Sequence, residues 1–527
     1  MDEFKSNTDQ ARSNTDQTSS KTDQTNSKNH SSYWANWMDF DPRSLKLLSV
    51  GIGILILLEL YDRWPLMTLL YGHKGVIPDS LLYTIQGHHP RWTLLGPSSI
   101  LTHDQALYVC IGGSIIGAMG LLFTRIGTVW NRGAIFLATL CVFSLYGRCW
   151  ISETGAIAIQ RSVLLFITLA LWMPMQVTAK WPLMSIRIQL ALVYAFNAWQ
   201  KTGETWISGH AIELFLQQDR IVTELGRWVV NQTSSEILQA MTWVVLMIEW
   251  ILPILIVSPV YINTLRLLAI FFMFCLHVPM IFLVDLSLFP HTLLVLTPLL
   301  LTRRHWVFLS SIKHNLSIKY NLSIKYNSSI KHTPSINHNP PVNQYVRIIL
   351  VASTMLLLVS ISWLTLHDNP ITRTRTPTIP KTLKAFRQHL DLKQFWALYA
   401  PDVPSQDGWV IMRLWTGSTW IDPRSGGFPH MMHPTHRDPH WSAHLERLTH
   451  HLMHQNHHPL RIGLIRWFSD STKQRGAIVA GTPIVGGEAW WVSERTAHGI
   501  LRTYKHYAWG ELPCISNHRE PCLTTKP

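Results

Sequence analysis

Long apolar runs separated by short polar stretches set the pattern of this 527-residue chain. Most runs approach the roughly 20 residues that an α-helix needs to cross the hydrocarbon core of a bilayer. Several lie near the lower limit for spanning, which leaves room for one re-entrant segment. The runs occupy residues 46–61, 105–124, 133–150, 162–179, 185–200, 238–259, 263–284, 287–302 and 346–365. This pattern predicts an α-helical polytopic membrane bundle of about nine spans.

Two low-complexity stretches interrupt the pattern. Residues 1–40 carry the repeats SNTDQ, SNTDQ and SKTDQ and few large apolar side chains, so they are predicted to be a disordered tail. They also lack the charged, apolar and cleavage regions of a signal peptide, so the first span is expected to remain as an anchor. Residues 304–344 repeat motifs such as SIKHNL and SIKYNS, a composition that predicts a flexible basic linker.

The pattern changes again after the last apolar run. The β-like runs GWVIMRLW and GAIVAGTPIVGGEAWWV accompany a stretch in which Trp441, Leu445, Leu448 and Leu452 recur at helical spacing. We therefore predict a small C-terminal α+β extramembrane domain. The chain then divides into a tail (1–40), a membrane domain (41–303), the linker (304–344), an additional transmembrane helix (345–366) and this last domain (367–527).

Charge adds an expectation about partners and orientation. The 45 Lys and Arg against 31 Asp and Glu give a formal net charge of +14, which suggests nucleic-acid binding at first sight. No nucleic-acid-binding module is recognisable, and the basic residues gather in linkers and near span ends, where anionic lipid attracts them. We therefore expect the lipid bilayer, and no nucleic acid, as a partner. The Lys and Arg balance predicts a cytoplasmic N-terminus and residues 367–527 in the periplasm of a bacterial inner membrane.

Cysteine usage separates two groups of thiols. Four cysteines fall in or beside apolar runs, lack the spacing of zinc ligands and are interpreted as small core residues. These four are Cys110, Cys141, Cys149 and Cys275. Cys514 and Cys522 bracket a polar segment, and whether they form a disulfide in an oxidising compartment stays open.

A histidine-rich tract in the C-terminal region allows two interpretations. His440 with His444, and His450 with His454, have the i,i+4 spacing that can present two imidazoles to one metal. A solvated histidine-rich helix face fits the tract better, with weak metal binding as a by-product. No metal site is predicted, and the chain contains no phosphate-loop, hydrolase-elbow or dinucleotide-binding motif.

The sharpest candidate site lies where an apolar helix pattern ends, in RIQLALVYAFNAWQKTGETWISG. Lys201 follows Gln200 there, and Trp206 stands at the expected membrane interface. Desolvation at such a place disfavours the charged ammonium and makes a neutral amine available as a base. A lysine that extends to the headgroups beside an interfacial tryptophan accounts for the same residues, and chemistry alone favours this second interpretation.

Two further ionisable residues lie inside apolar runs, where such residues usually face a bundle interior or an aqueous cavity. His277 either has a functional role in such a cavity or forms a hydrogen bond to a neighbouring helix. Glu249, in VVLMIEWILPIL, is expected to be buried, either paired with Arg266 or in another polar contact between helices.

The segment LVYAFNAWQKTGETWISG resembles one in the vitamin K-dependent gamma-carboxylase family, whose membrane part is the horizontally transferred transmembrane (HTTM) domain. There a membrane helix ends in a lysine, followed by an acidic residue and a tryptophan. The lysine is the catalytic base in the carboxylases, so the resemblance assigns that role to Lys201 and the tryptophan position to Trp206. The carboxylases usually have two adjacent lysines, and Gln200 replaces the first of them here.

Three other stretches support the resemblance in the same order along the chain. They are LYDRWPLMTLLYGHKGVIP (60–78), CLHVPMIFLVDLSLFPHTLLVLTPL (275–299) and FWALYAPDVPSQDGWV (395–410). The second stretch carries His277 and Phe289, which the resemblance places at the lining of the carboxylase site. Residues 149–161 depart from the family, because Ser152 and Glu153 stand where the carboxylases have an Asn-His pair.

The resemblance implies two hypotheses of different classes. In the carboxylases a reduced naphthoquinone reacts with oxygen to give an epoxide and a strong base, and a substrate glutamate then takes up carbon dioxide. The first hypothesis is a quinol-dependent oxygenase or carboxylase with Lys201 as base, His277 beside it, and a periplasmic protein as substrate or partner. The second is a non-catalytic membrane scaffold or binding protein with the same fold. A closed, quinone-sized cavity at Lys201 would favour the first hypothesis.

Overall fold

The structure is a computed structural model. It describes residues 40–79, 91–96, 101–173, 180–319, 344–392, 394–423, 427–429, 447–449, 460–461, 463–468, 486–497 and 500–512, together with Trp37, Leu82, Leu445 and Leu452. Most of the predicted N-terminal tail, most of the linker and most of the histidine-rich tract lie outside the described residues. So do Cys514 and Cys522.

The membrane part is a bundle of long apolar helices, as the apolar runs predict. Among the described residues, seven helices are long and apolar enough to cross a membrane, by length and composition. They are α1 (Pro42–Arg63, which continues through a short 3-10 turn into α2, Met67–Tyr71), α3 (His103–Phe123), α4 (Val129–Arg148), α5 (Gly155–Trp172), α10 (Ser235–Val257), α11 (Ile262–Leu283) and α14 (Gln344–Asp368). The remaining elements of the bundle are shorter or more polar.

Two of the nine predicted spans differ from these seven. Residues 185–200 belong to α6 (Lys180–Gln200), whose polar side chains, among them Arg187 and Asn197, are buried inside the bundle. Residues 287–302 form α12 (Phe289–Val295) and a 3-10 turn (Thr297–Leu300). This segment returns along α1, where Ser44 Oγ donates to the carbonyl oxygen of Leu301 at 3.3 Å. The predicted linker begins as helix α13 (Arg303–Lys319).

The outward faces of the long helices are apolar. Large hydrophobic side chains on α3 and α11 are more than half exposed, among them Tyr108, Ile116, Phe123, Phe271 and Phe282. Exposed apolar surface of this extent marks contact with another apolar phase. Together with helices that satisfy their own backbone groups, this surface fits contact with a lipid bilayer.

Small residues allow close packing between α3 and α4. A Cβ atom added at Gly117 would lie 2.8 Å from Cβ of Ala138, and one added at Gly120 would lie 2.4 Å from Cβ of Ala134. Such close backbone approach is typical of membrane helix pairs, because association there depends on tight van der Waals contact.

Three short helices cover the end of the bundle at which α6 ends. They are α7 (Glu204–Ile207), α8 (Ala211–Leu216) and α9 (Glu224–Gln232). α8 packs on α10, and α9 packs on α11. We call this end of the bundle the capped end.

The C-terminal region contributes two short helices, α15 (Pro370–Arg373) and α16 (Lys381–Leu390), and a four-stranded antiparallel sheet. The strands are β1 (Gln406–Trp415), β2 (Trp420–Ile421), β3 (Gly486–Ala497) and β4 (Ile500–Leu512), in the order β2-β1-β3-β4. The predicted run GWVIMRLW and the end of the predicted run GAIVAGTPIVGGEAWWV form the central pair, with Val410 opposite Trp491. The first part of the second run lies outside the described residues. The sheet meets the capped end, where the Asp219 amide donates to Glu494 Oε2 at 3.4 Å.

Candidate functional site

A cavity of about 900 Å³ lies inside the capped end of the bundle. Its walls come from α6, α10, α11, α12, the start of α5, and the segment 395–404 that follows the last long helix. Most lining side chains are apolar. Polar side chains interrupt this lining at Tyr194, Asn197, Lys201, Glu249, His277 and Ser287, among others.

Lys201 is buried in the wall of this cavity. Its Nζ donates to both carboxylate oxygens of Glu249, at 2.6 and 2.7 Å. The same Nζ lies 4.1 Å from the ring centroid of Trp206. Since only 8 % of Lys201 is exposed, the alternative of a lysine extended to the headgroups does not fit.

Glu249 is buried as expected, but its pairing with Arg266 is not observed. Asn197 Nδ2 donates to Glu249 Oε1 at 2.8 Å, so α6 and the lysine that follows it hold the carboxylate on both oxygens. Arg266 lies near the other end of the bundle, where its guanidinium donates to the carbonyl of Trp37 at 2.9 Å. Helical patterns show that both residues are buried, but they do not show that the two lie at different depths of the bundle.

Helical spacing on α6 and just beyond its end brings three polar side chains to one face. Tyr194, Asn197 and Lys201 stand at i, i+3 and i+7, so they lie on successive turns of the same stripe. Each forms a hydrogen bond with a residue of α10 or α11 in the wall of the cavity. Tyr194 and Asn197 were not predicted as site residues, although their spacing from Lys201 inside an apolar run was the available signal.

His277 and Ser287 present polar atoms without partners among the described residues. A hydrogen bond of 2.7 Å joins Tyr194 Oη and His277 Nε2, while His277 Nδ1 has no hydrogen bond. Ser287 Oγ is likewise buried and without one. A buried polar atom without a partner costs free energy, so both atoms offer hydrogen bonds to a ligand in the cavity. The Phe289 and His277 rings meet in a T-shaped arrangement, with ring centroids 6.3 Å apart.

The segment 394–404, which we call the docking segment, closes the cavity from the C-terminal side. Asn197 Oδ1 accepts from the Leu398 amide at 3.0 Å, and Gln200 Nε2 donates to the Trp396 carbonyl at 2.6 Å. Trp206 Nε1 donates to the Tyr399 carbonyl at 2.8 Å. Residues that flank Lys201 therefore hold this segment in place.

Gly203 allows the docking segment to approach α7 closely. Asp402 Oδ1 accepts from the amide of Thr205 at 2.8 Å and from its hydroxyl at 2.9 Å. A Cβ atom at Gly203 would lie 2.1 Å from Cγ of Asp402. Only glycine leaves room for this carboxylate at the start of α7.

Residues 149–161 contribute to a packed group of charges beside the cavity. This is the stretch in which the carboxylases have an Asn-His pair. Arg161 pairs with Glu153 and lies 3.1 Å from Asp391 Oδ2, which also lies 3.3 Å from Arg91 Nε. The Arg91 guanidinium stacks over Trp150 at 4.1 Å. We call these residues the Arg161 cluster. Arg161 is not among the residues that line the cavity.

The interpretation of the cysteines as core residues is wrong at one position. Cys110, Cys141 and Cys149 are buried as predicted, but Cys275 is exposed. It stands on the face of α11 that borders both the cavity and the outside of the bundle. An apolar run in a membrane helix does not distinguish core from lipid-facing positions, because both are apolar.

The described residues contain no group of three or more His, Cys, Asp and Glu that could hold a metal ion. His440, His444, His450 and His454 lie outside the described residues. The metal interpretation of the histidine tract therefore stays a sequence-based expectation.

Long apolar helices around a ligand-sized cavity, with a buried ion pair in its wall, define a multi-pass helical membrane protein. Residues 169–306 of the chain match the family model of the HTTM domain. This match confirms the HTTM resemblance seen in the sequence, and it covers Lys201, Glu249, His277 and Phe289. No curated protein and no solved structure matches the chain.

Proposed function

We propose that the protein is a membrane enzyme that binds a reduced quinone in the cavity and uses Lys201 to accept a proton from it. The observation that carries this proposal is the burial of Lys201 in the wall of a ligand-sized, mostly apolar cavity. Ionisable residues are rare and costly inside membranes, and they usually serve a function there.

The lining residues fit a reduced naphthoquinone. A cavity of about 900 Å³ is within the range of small-molecule sites and offers apolar walls for a fused ring and its tail. His277 Nδ1 and Ser287 Oγ are available to hydrogen-bond ring oxygens, and Trp206 and Phe289 are available to contact the ring. When bound, such a quinol would supply an acidic hydroxyl and the reducing equivalents for oxygen.

The Lys201–Glu249 pair can exist in two protonation states. If the proton in the 2.6 Å hydrogen bond moves from Nζ to the carboxylate, the result is a neutral amine beside a neutral acid. The amine can then take the proton of the ligand hydroxyl, and the ammonium so formed stabilises the anion left behind. A cation–π interaction with the face of the Trp206 ring stabilises that ammonium. Glu249 thus serves as the first proton acceptor of the pair.

The remaining parts of the proposal concern the surroundings of the site. The Lys and Arg balance supports a cytoplasmic N-terminus in a bacterial inner membrane, with the capped end facing the periplasm. Oxygen, carbon dioxide and a periplasmic protein substrate would then meet the quinol at this end. Of the two reactions, quinol oxidation and carboxylation, carboxylation is the less supported, because the Arg161 cluster stands where the carboxylases have their Asn-His pair.

One observation favours a second candidate, a non-catalytic membrane scaffold or binding protein. Lys201 Nζ already bonds to both oxygens of Glu249, as it would in a pair that only holds α6 to α10. In that case the cavity would bind a lipid or a quinone without turnover, and the docking segment would present the C-terminal region to a partner.

The test is epoxide formation from a reduced naphthoquinone by the purified protein in lipid, followed with isotopically labelled oxygen. We expect turnover by the native chain, loss in Lys201→Ala and Glu249→Gln, and retention in Lys384→Ala, which changes an exposed lysine of α16. Quinone binding without turnover in any form would support the binding protein instead. Absence of both binding and turnover would overturn the quinol proposal.

A further inference from the structure

We propose that the cavity opens sideways into the bilayer between α10 and α11, and that a ligand with a long apolar tail enters through this portal past Cys275. The identity of the ligand head as a quinol rests on the proposed function. The portal itself rests on the geometry of the two helices.

The first observation is that the same side chains line the cavity and face outward. On α10 these are Ile237, Ala240 and Val244, which recur at helical spacing, and Ile237 and Val244 are 55 % and 48 % exposed. On α11 they are Cys275 and Pro279, one turn apart, and both are exposed. Lining side chains that are also exposed place the cavity directly behind the outer face of the α10–α11 pair, which is where we infer the opening.

The second observation is the position of these residues in the α10–α11 hairpin. The cavity contacts α10 only from its start to Glu249, and α11 only from Cys275 to its end. These parts of the two helices lie at the open end of the hairpin, away from the connecting loop. Near the connecting loop the helices are packed, with Ile256 and Ala269 both fully buried. The two helices therefore enclose space between them only toward the capped end.

Pro279 lies at the opening, and Pro253 lies one turn beyond Glu249 on α10. Proline has no amide hydrogen, so Pro253 and Pro279 cannot make the i→i−4 bonds to the carbonyls of Glu249 and Cys275. Glu249 and Cys275 both line the cavity. A helix interrupted in this way is tolerated at membrane depth where it borders a cavity or a neighbouring polar group.

The chemistry of the two accessible sides indicates which ligand uses the portal. At the capped end the cavity reaches Arg220, Glu236 and Arg447, whose charges make that side unfavourable for an apolar tail. The portal is lined by Ile237, Ala240, Val244 and Pro279, which match the interior of the bilayer. A tail can remain in the lipid phase or the portal while the polar head reaches Lys201 and His277.

Cys275 provides the experiment, because it is exposed whereas the other described cysteines are buried. The protein in lipid is alkylated with N-ethylmaleimide, and binding is measured with a photoreactive naphthoquinone that carries a four-isoprene tail. We expect alkylation to weaken binding at least about tenfold in the native chain and to have no effect in Cys275→Ser. Crosslinks from the tail should map to the portal side of α10 and α11.

A matched control moves the thiol by one position. Phe274 is exposed on the same helix but does not line the cavity, so alkylation of the Phe274→Cys, Cys275→Ser variant should leave binding unchanged. Unchanged binding after complete alkylation of the native chain would overturn the portal while leaving the quinol site standing. If neither the tailed probe nor a tail-free naphthoquinone binds any form, the proposed function itself fails.

Discussion

The Lys201–Glu249 pair and the Arg161 cluster are both buried ion pairs near the capped end, but their surroundings differ. Arg161 meets Glu153 and Asp391 and also donates to the Asp391 carbonyl at 2.9 Å, so it joins α5 to the residue after α16. It does not line the cavity described above. Lys201 is equally hidden from solvent, yet its pair faces open space large enough for a ligand. Burial of charge alone therefore does not indicate a ligand site, and the open space beside Lys201 is what supports the proposal made for that pair.

The largest expected effect is on stability, at the Arg161 cluster. In Arg161→Met, Glu153 loses its buried cation and Asp391 keeps only Arg91, so we expect the free energy of unfolding to fall by about 3–5 kcal/mol. The measurement is denaturation of the purified protein in detergent, followed by circular dichroism. Arg227→Met is the control, because its pair with Asp219 is 47 % exposed on the arginine side and should contribute at most about 1 kcal/mol. Equal losses in both variants would contradict the structural role of the cluster.

A smaller stability effect with a large functional effect is expected at the cavity. Lys201→Met leaves Glu249 without its cation, but water can enter the cavity, so we expect a loss of about 2–3 kcal/mol. Adding Glu249→Leu should restore most of this stability without restoring quinone binding. The free energy of unfolding and the quinone affinity are measured for Lys201→Met, Glu249→Leu and the double variant. A double variant less stable than either single one would show that the pair acts mainly as a brace.

The smallest effect should come from the docking segment. Gly203→Ala displaces Asp402 and removes its two hydrogen bonds to Thr205, at a cost of about 1–2 kcal/mol. We expect faster amide hydrogen exchange at residues 394–404 with little change in α1 to α5. Asp402→Ala, which removes the carboxylate while keeping the glycine, should give the same exchange pattern. Faster exchange throughout the bundle would instead indicate general destabilisation.

Much of the bundle could be predicted because uninterrupted apolar runs of membrane length are rare in soluble domains. Seven of the predicted spans correspond to long apolar helices, and the polar interior of α6 is the reason that residues 185–200 fall outside that group. Lys201 and His277 stood out because ionisable residues are scarce in such runs. Their roles in chemistry stay predictions.

The partners of these residues could not be predicted in the same way. Glu249 was expected either to pair with Arg266 or to make another polar contact between helices, and the second alternative is observed. An apolar pattern alone could not decide between them, because it reveals burial but not which helices are neighbours. Cys275 was placed in the core, because lipid-facing and core positions of a membrane helix are equally apolar. The docking segment was noticed only through its resemblance, and its hydrogen bonds to α6 and α7 span nearly 200 residues of chain.

The docking segment has a consequence for how the protein is made. Gln200 and Trp396, which fix one wall of the cavity, are separated by 196 residues. During translation all the long apolar helices leave the ribosome before residues 394–404 do, so the bundle reaches the membrane with its cavity still open at the capped end. A nascent chain can therefore insert fully while Lys201 remains accessible from that side. The wall of the cavity on this side is completed only at a late step of synthesis.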